Sequence, residues 1–248
     1  TLGSDLSGVV EAVGPGVSQF KKGNEIYGVT NPQFCGAQAE YAIASAGMVA
    51  LKPQGVTFLE AASAPVIAVT AWQMLFEYAN SQAGQTVMIL GAAGNVGAYA
   101  VQLAVKADIR VVAIVRSKDI EFARSLGAKD TWDYESRDFK DTRYAVDAII
   151  DTVGGDAQEH SFRFLKSDGI LVSVVSTNRP PAPAGERSVF FYVEVTPERL
   201  NTISELLDNR HVLPQVGSVL SLQDVRIAHE MLAGSPHKRG KIVLEVTG

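Results

Sequence analysis

Apolar positions fall into three textures along the chain. Over residues 1–53, short apolar stretches (LSGVVEAVG, EIYGVT, AEYAIA, MVALKP) are split by glycines, which predicts short β-strands joined by turns. Over residues 57–200 the texture alternates. One long helical pattern covers 57–79. Strands are then predicted at 86–90, 109–115, 145–150, 170–175 and 188–195. Between them lie helices at 96–107, 119–126 (ended by Gly127) and 157–165. Near-continuous apolar strands alternating with helices predict a parallel sheet covered on both faces. In the last zone, helices near 197–208 and 222–232 precede a strand at 241–246. The run NRPPAPAGER, residues 178–187, predicts a surface loop, either a simple connector or a cover over an active site. No internal repeat is visible.

The turn after the first buried strand carries the chemistry. In TVMILGAAGNVGAYAVQLA, residues 86–104, a strand ends at Leu90 and a helix starts near Asn95. Gly94 and Gly97 hold the last two glycine positions of a G-x-G-x-x-G pattern, and Ala92 holds the first. Small residues let backbone approach a pyrophosphate, and the helix amino end offers unpaired N–H groups and a positive dipole end. The required context, strand before and helix after, favours a dinucleotide over a ligand-free tight turn. The end of the next strand selects the cofactor. Enzymes that bind NAD usually carry an acid there for the ribose 2′-hydroxyl. Here Val115 is followed by Arg116, Ser117 and Lys118, which suit a 2′-phosphate, so NADPH is favoured over NADH. The alternatives are solvated surface charges for the two cations, and a helix cap at Ser117 with Asp119 in the first turn.

Composition narrows the picture further. The 248 residues are enough for one large or two smaller domains, and 46% hydrophobic with 20% charged residues is ordinary for a globular chain. A net charge of −5 argues against a nucleic-acid or acidic-membrane binder. With one cysteine, Cys35, no internal disulfide and no four-cysteine zinc lobe can form, which fits a reducing, cytoplasmic setting. No apolar run reaches membrane-spanning length, and no signal peptide is visible.

Several segments together resemble a known family. They are GSDLSGVVEAVGPGVSQFKKGNEIYG (residues 3–28), VTAWQML (69–75), GAAGNVGAYAVQLA (91–104), LGAKDTWDY (126–134), VDAIIDTVGG (146–155) and RGKIVLEV (239–246). In order and spacing the chain resembles a zinc-independent quinone oxidoreductase of the medium-chain dehydrogenase/reductase superfamily. The resemblance implies an α/β fold in which a doubly wound Rossmann sheet is inserted into a GroES-like, β-rich catalytic domain. Residues 1–60 would be part of the catalytic domain, 61–205 the cofactor domain and 206–248 the return to the catalytic domain. Substrate and nicotinamide would meet in a cleft, where hydride passes from NADPH to a quinone or an α,β-unsaturated carbonyl compound.

The same resemblance implies which positions touch cofactor. Thr70 would lie near the nicotinamide and its ribose, and Ala93, Gly94, Asn95 and Val96 along the pyrophosphate. Ser117 and Lys118 would take the 2′-phosphate, with Tyr134 at the adenosine end. Val153 and Gly154 would line the cleft, Ser173, Val174 and Ser176 would flank the nicotinamide, and Lys241 would close over it. A plain strand residue at Val174, a packed aromatic at Tyr134 and a solvated charge at Lys241 are the alternatives.

The departures from the family matter as much. Asn95 stands where glycine is frequent, a mild change because asparagine tolerates unusual backbone angles. Zinc-dependent relatives have a His–Glu pair where this chain has Ser4 and Asp5, and a cysteine where it has Val66, so no catalytic zinc is expected. The four histidines, His160, His211, His229 and His237, show no ligand spacing. Family strands that normally precede the segment at Gly3 are missing, and residue 1 is not Met, so residue 1 is read as an internal point of a longer protein. Their loss would expose sheet edges and apolar faces, predicting poor solubility or a capping partner. It also leaves no general acid to name; Tyr192 is a candidate pocket residue, against a core or interface tyrosine. Two other functions stay open: a non-catalytic NADPH-binding sensor or interaction protein, and an enoyl-thioester reductase of the same superfamily. The apolar strand at 188–195 would pair across subunits in a homodimer.

Overall fold

The computed structural model describes residues 1–136, 139, 144–175, 182–183 and 185–246. The chain forms two compact units, Thr1–Val69 with Glu194–Gly248, and Thr70–Val193.

The second unit is built on a six-stranded, wholly parallel sheet. Its strands are β4 (Thr86–Leu90), β5 (Arg110–Val115), β6 (Asp130–Asp133), β7 (Val146–Asp151), β8 (Leu165–Ser173) and β9 (Arg187–Phe190), in the order β6-β5-β4-β7-β8-β9. Counted from β4, that order is 3-2-1-4-5-6, the dinucleotide-binding Rossmann arrangement, with the switch point between β4 and β7. The apolar runs are inside as the pattern requires. Met88, Leu90, Val112, Ile114, Ile149 and Leu171 join Phe139, Phe162 and Phe164 in one buried cluster. Each such side chain contributes roughly 1.5–3 kcal/mol by leaving water. On β4 and β5 packs α3 (Asn95–Lys106), whose residues from Gly97 to Ala104 are buried. It stops because Asp108 turns left-handed (φ +55°), letting the Ile109 N–H donate to the Ala104 carbonyl at 2.9 Å. Gly127 (φ +101°) ends α4 (Ile120–Ser125) in the same manner.

The first unit has a three-stranded antiparallel sheet of β1 (Asp5–Val9), β2 (Glu25–Val29) and β3 (Val49–Leu51). It also has a parallel pair, β10 (Val216–Ser221) with β11 (Lys241–Glu245), and helices α6 (Pro197–Asp208) and α7 (Val225–Leu232). The buried Tyr27 hydroxyl of β2 donates to the Leu200 carbonyl of α6 at 2.5 Å, fastening sheet to helix. Leu2, Val9, Tyr41, Ile43 and Leu51 are exposed in this unit.

Three expected elements come out differently. The helical pattern at 57–79 is broken into α1 (Phe58–Ala62), α2 (Pro65–Trp72) and a π-helical turn, Gln73–Tyr78. Pro65 has no N–H and its ring would meet the preceding turn, so it begins a helix and does not continue one. Thr57 and Glu60 cap α1 reciprocally at 3.2 and 2.8 Å. The helix expected over 157–165 is α5 (Gly155–Ser161) and a 3-10 turn, Phe162–Phe164, because Phe162 and Phe164 are drawn into the core and β8 starts at Leu165. The last strand of the sheet is Arg187–Phe190 and not 188–195. Two strands, β6 and β10, lie where none was expected. Among the described residues, no helix is long and apolar enough to cross a membrane.

Candidate dinucleotide site

The site is assembled where β4 and β7 end side by side. After Leu90 the chain turns through Gly91 (φ +75°), whose N–H donates to the Ile114 carbonyl at 3.0 Å. A Cβ on Gly91 would meet Thr152 Oγ1 at 2.5 Å and Val153 Cγ2 at 2.7 Å. Thr152 Oγ1 in turn donates to the Leu90 carbonyl at 2.8 Å, tying the two strand ends together. Gly97 explains itself by distance. A Cβ there would lie 2.2 Å from the Gly91 carbonyl oxygen and 2.8 Å from Ala92 Cα, so α3 sits directly on the turn's backbone. Gly94 is more open, with only the Gly91 oxygen at 3.2 Å. Among the described residues, no side chain caps the amino end of α3, whose N-cap is Gly94. Gly94 and Asn95 are exposed and Ala93 and Val96 half-buried, so main-chain N–H groups stand at a surface that glycines keep flat. That cradle fits a pyrophosphate.

The neighbouring strand ends are held by a buried carboxylate. Asp151 Oδ1 accepts the N–H groups of Val153 (3.0 Å) and Gly154 (2.9 Å), and Oδ2 accepts the Ser173 hydroxyl at 2.7 Å. The Val175 N–H donates to Ser173 Oγ at 3.1 Å. Ser173 is therefore fully buried with its hydroxyl engaged inside the protein. Gly154 turns left-handed (φ +73°) against Val175, leaving the Val153 side chain exposed. Val174 is half-buried, its N–H donating to the Asp151 carbonyl at 3.3 Å.

Beyond β5, Arg116 precedes a 3-10 turn, Ser117–Asp119. Ser117 does not cap this turn; its hydroxyl donates to Asp133 Oδ2 at the end of β6. The Glu135 N–H donates to Asp133 Oδ1 at 3.0 Å. The Ser117 hydroxyl, with that amide, holds the Asp133 carboxyl below the usual carboxylate range. The Tyr134 N–H donates to the Val115 carbonyl at 3.1 Å, and its phenol donates to Glu135 Oε1 at 2.7 Å. That bond, with the charge of Glu135, raises the phenol above its ordinary value. Lys118 is exposed.

The remaining expected residues are spread more widely. Thr70 is buried on α2. Lys241 opens β11, and its Nζ lies 3.3 Å from Asp5 Oδ2. Asp5 Oδ1 accepts the Val66 N–H at 2.8 Å, and Ser4 Oγ donates to Asp5 Oδ2 at 2.8 Å. Asp5 thus bonds Ser4, Val66 and Lys241 together. Ser176 lies outside the described residues, as do 178–181 and 184 of the proline-rich loop. Tyr192 falls beyond β9, exposed, with its ring edge-on to Phe190 at 5.0 Å. Cys35 is exposed.

Comparison with known proteins agrees with this geometry. Residues 1–54 match the alcohol dehydrogenase GroES-like domain family, and residues 126–244 match a family described as zinc-binding dehydrogenase. The quinone oxidoreductase of Coxiella burnetii superposes with a TM-score of 0.88 at 30% identity, over 99% of this chain and 79% of that one. This chain belongs to the medium-chain dehydrogenase/reductase superfamily. Its sheet is the superfamily's Rossmann sheet, and its β-rich amino-terminal part is GroES-like. The mitochondrial NAD(P)H oxidoreductase RTN4IP1 of Bos taurus is 36% identical over 67% of this chain. The 2-methylene-furan-3-one reductase of Solanum lycopersicum is 33% identical over 86%. The chain spans 44% of the length of the first and 55% of the second.

Three residues of this medium-chain member escaped sequence reasoning: Asp151, Thr152 and Asp133. A carboxylate ending the apolar run VDAIID was a usable signal for Asp151. Asp133 had none, because its importance comes from β6 lying beside β5.

Proposed function

We propose that this medium-chain oxidoreductase is an NADPH-dependent, zinc-independent reductase of quinones or α,β-unsaturated carbonyl compounds. The observation that carries the reading is the glycine cradle at the β4–β7 switch point, where a side chain on Gly91 or Gly97 would collide with neighbouring atoms and where, among the described residues, no side chain caps α3. Ala93, Asn95 and Val96 would bind the pyrophosphate through main-chain N–H groups, while Gly94, whose own N–H donates to the Gly91 carbonyl at 2.9 Å, would give it room. Arg116 and Lys118 would attract the 2′-phosphate, and Val153, Gly154 and Val174 would hold the nicotinamide end in place. Thr70 and Lys241 carry over as cofactor residues by family resemblance. NADPH, when bound, supplies the hydride. The protein's part is orientation and exclusion of water. Ser4, Asp5 and Val66 do not make the zinc donor set of the metal-dependent relatives. An activated double bond or quinone is already electrophilic, so its reduction does not demand a Lewis acid.

The test is a fluorescence titration of NADPH and NADH into the full-length protein and into Lys118→Ala, followed by NADPH oxidation with a panel of quinones and enones. Tighter NADPH than NADH binding, a preference weakened about tenfold in Lys118→Ala, and turnover with at least one acceptor are expected. Binding of neither dinucleotide would sink the reading. Full activity only with added zinc would remove its metal-free part. We also propose a homodimer paired through β9, which ends the sheet; a monomer at micromolar concentration by light scattering would overturn it. The cytoplasm is the compartment proposed from the lone thiol Cys35, and fractionation of cells expressing the full-length protein tests it against the organelle in the bovine relative's name.

A further inference from the structure

The edge formed by β5 and β6 does more than offer cations to a nucleotide. Val115 and Asp133 are paired in register, so the residues that follow each strand share one edge. From β5 come Arg116, Ser117 and Lys118; from β6 come Asp133, Tyr134 and Glu135. Two cations, Arg116 and Lys118, are therefore set against two carboxylates, Asp133 and Glu135, for a formal sum of zero. Both hydroxyls at this edge already donate to those acids: Ser117 to Asp133, and Tyr134 to Glu135 at 2.7 Å. A 2′-phosphate arriving here would meet a carboxylate and would have to compete with it for the Ser117 proton. A ribose 2′-hydroxyl brings no charge and can donate to a carboxylate.

Resting on the cofactor reading above, we propose that Asp133 is a specificity-determining residue: by holding the Ser117 hydroxyl and placing a negative charge at the 2′ position, it counters Arg116 and Lys118 and narrows the preference for NADPH over NADH. The Glu135 amide fixes the carboxylate in place, so it cannot swing away from the incoming nucleotide at no cost. The carboxyl's depressed pKa keeps it charged at neutral pH.

The experiment measures dissociation constants of NADPH and NADH for the full-length wild type, Asp133→Asn, Asp133→Ser, Ser117→Ala, Lys118→Ala and the double variant Asp133→Asn/Ser117→Ala, each checked for cooperative unfolding. Asp133→Asn and Asp133→Ser should raise the NADPH-to-NADH affinity ratio about tenfold, or ~1.4 kcal/mol. Ser117→Ala should change the ratio less than twofold in the wild type but lower it several-fold in Asp133→Asn, where the hydroxyl has been released. That non-additivity is the signature of a shared proton donor. A ratio unchanged or lowered in both Asp133 variants, with Lys118→Ala still lowering it, overturns the role of Asp133 and leaves the 2′-phosphate reading standing. Wild-type protein that binds neither dinucleotide overturns both. Should one Asp133 variant fail to fold, the other decides.

Discussion

Ser173 Oγ donates to Asp151 Oδ2 at 2.7 Å, and both side chains are completely buried at the ends of adjacent parallel strands. With the amides of Val153 and Gly154 on its other oxygen, Asp151 organises the floor of the turn leading into α5. Asp151→Ala would take the acceptor from three donors, two of them in buried residues, Gly154 and Ser173, and a loss of about 3 kcal/mol in folding stability is expected. Asp151→Asn, which keeps an acceptor, should lose less. Urea unfolding measures the loss; a change below about 0.5 kcal/mol in the alanine variant would show that the network is dispensable.

Gly97 and Gly94 belong to one motif yet face different constraints. A methyl at Gly97 would press on the backbone of Gly91 and Ala92, whereas Gly94 has room apart from one 3.2 Å contact. Gly97→Ala should cost roughly 2–3 kcal/mol and abolish measurable dinucleotide binding. Gly94→Ala should fold almost normally and show only weakened binding. Thermal unfolding together with nicotinamide fluorescence separates the two, and equal behaviour would contradict the packing described.

Tyr27 makes a pH-dependent contribution. Its phenol, buried between β2 and α6, donates to the Leu200 carbonyl and lies 2.9 Å from Ser204 Oγ. Burial pushes it well above the ordinary value of 10.0. The folded state thus retains a proton that the unfolded chain releases near pH 10, so the stability this group provides is fully present below pH 10 and declines as pH rises above it. The decline approaches about 1.4 kcal/mol per pH unit. Tyr27→Phe should lose about 1 kcal/mol at neutral pH and show a shallower fall above pH 10. Parallel wild-type and variant stability curves across that range would contradict the assignment.

Asp5 is the partner of Lys241 inside the first unit, with side-chain exposures of 9% and 24%. Asp5→Ala leaves the Lys241 ammonium and the Val66 amide without that acceptor, and about 2 kcal/mol should be lost. Asp5→Asn can still accept from the Val66 N–H and should lose about half as much. Chemical denaturation of both variants checks the order; an alanine variant as stable as wild type would remove the ion pair from the account.

Local sequence was enough for much of the dinucleotide half. The apolar runs TVMIL, RVVAIV and VDAII are strands because their residues suit burial on both faces, and small residues between Leu90 and Asn95 can serve only a tight turn. Arg116 and Lys118 put two cations at the end of one strand, which their charge alone makes legible. Local pattern was insufficient where pairing, not composition, creates the element. DTWD has no alternation and only half-buried residues, and it is a strand because β5 offers it an edge. VGSVLS becomes a strand against β11 in the same way. The partnerships of Asp151 with Ser173, Asp133 with Ser117 and Asp5 with Lys241 join residues 22, 16 and 236 positions apart. By itself, the sequence determined which segments bury apolar surface and where glycine lets backbone come close, because both follow from neighbouring side chains. Only the tertiary structure decided where each carboxylate's charge is spent, because a carboxylate bonds whatever donor the fold brings within about 3 Å of it.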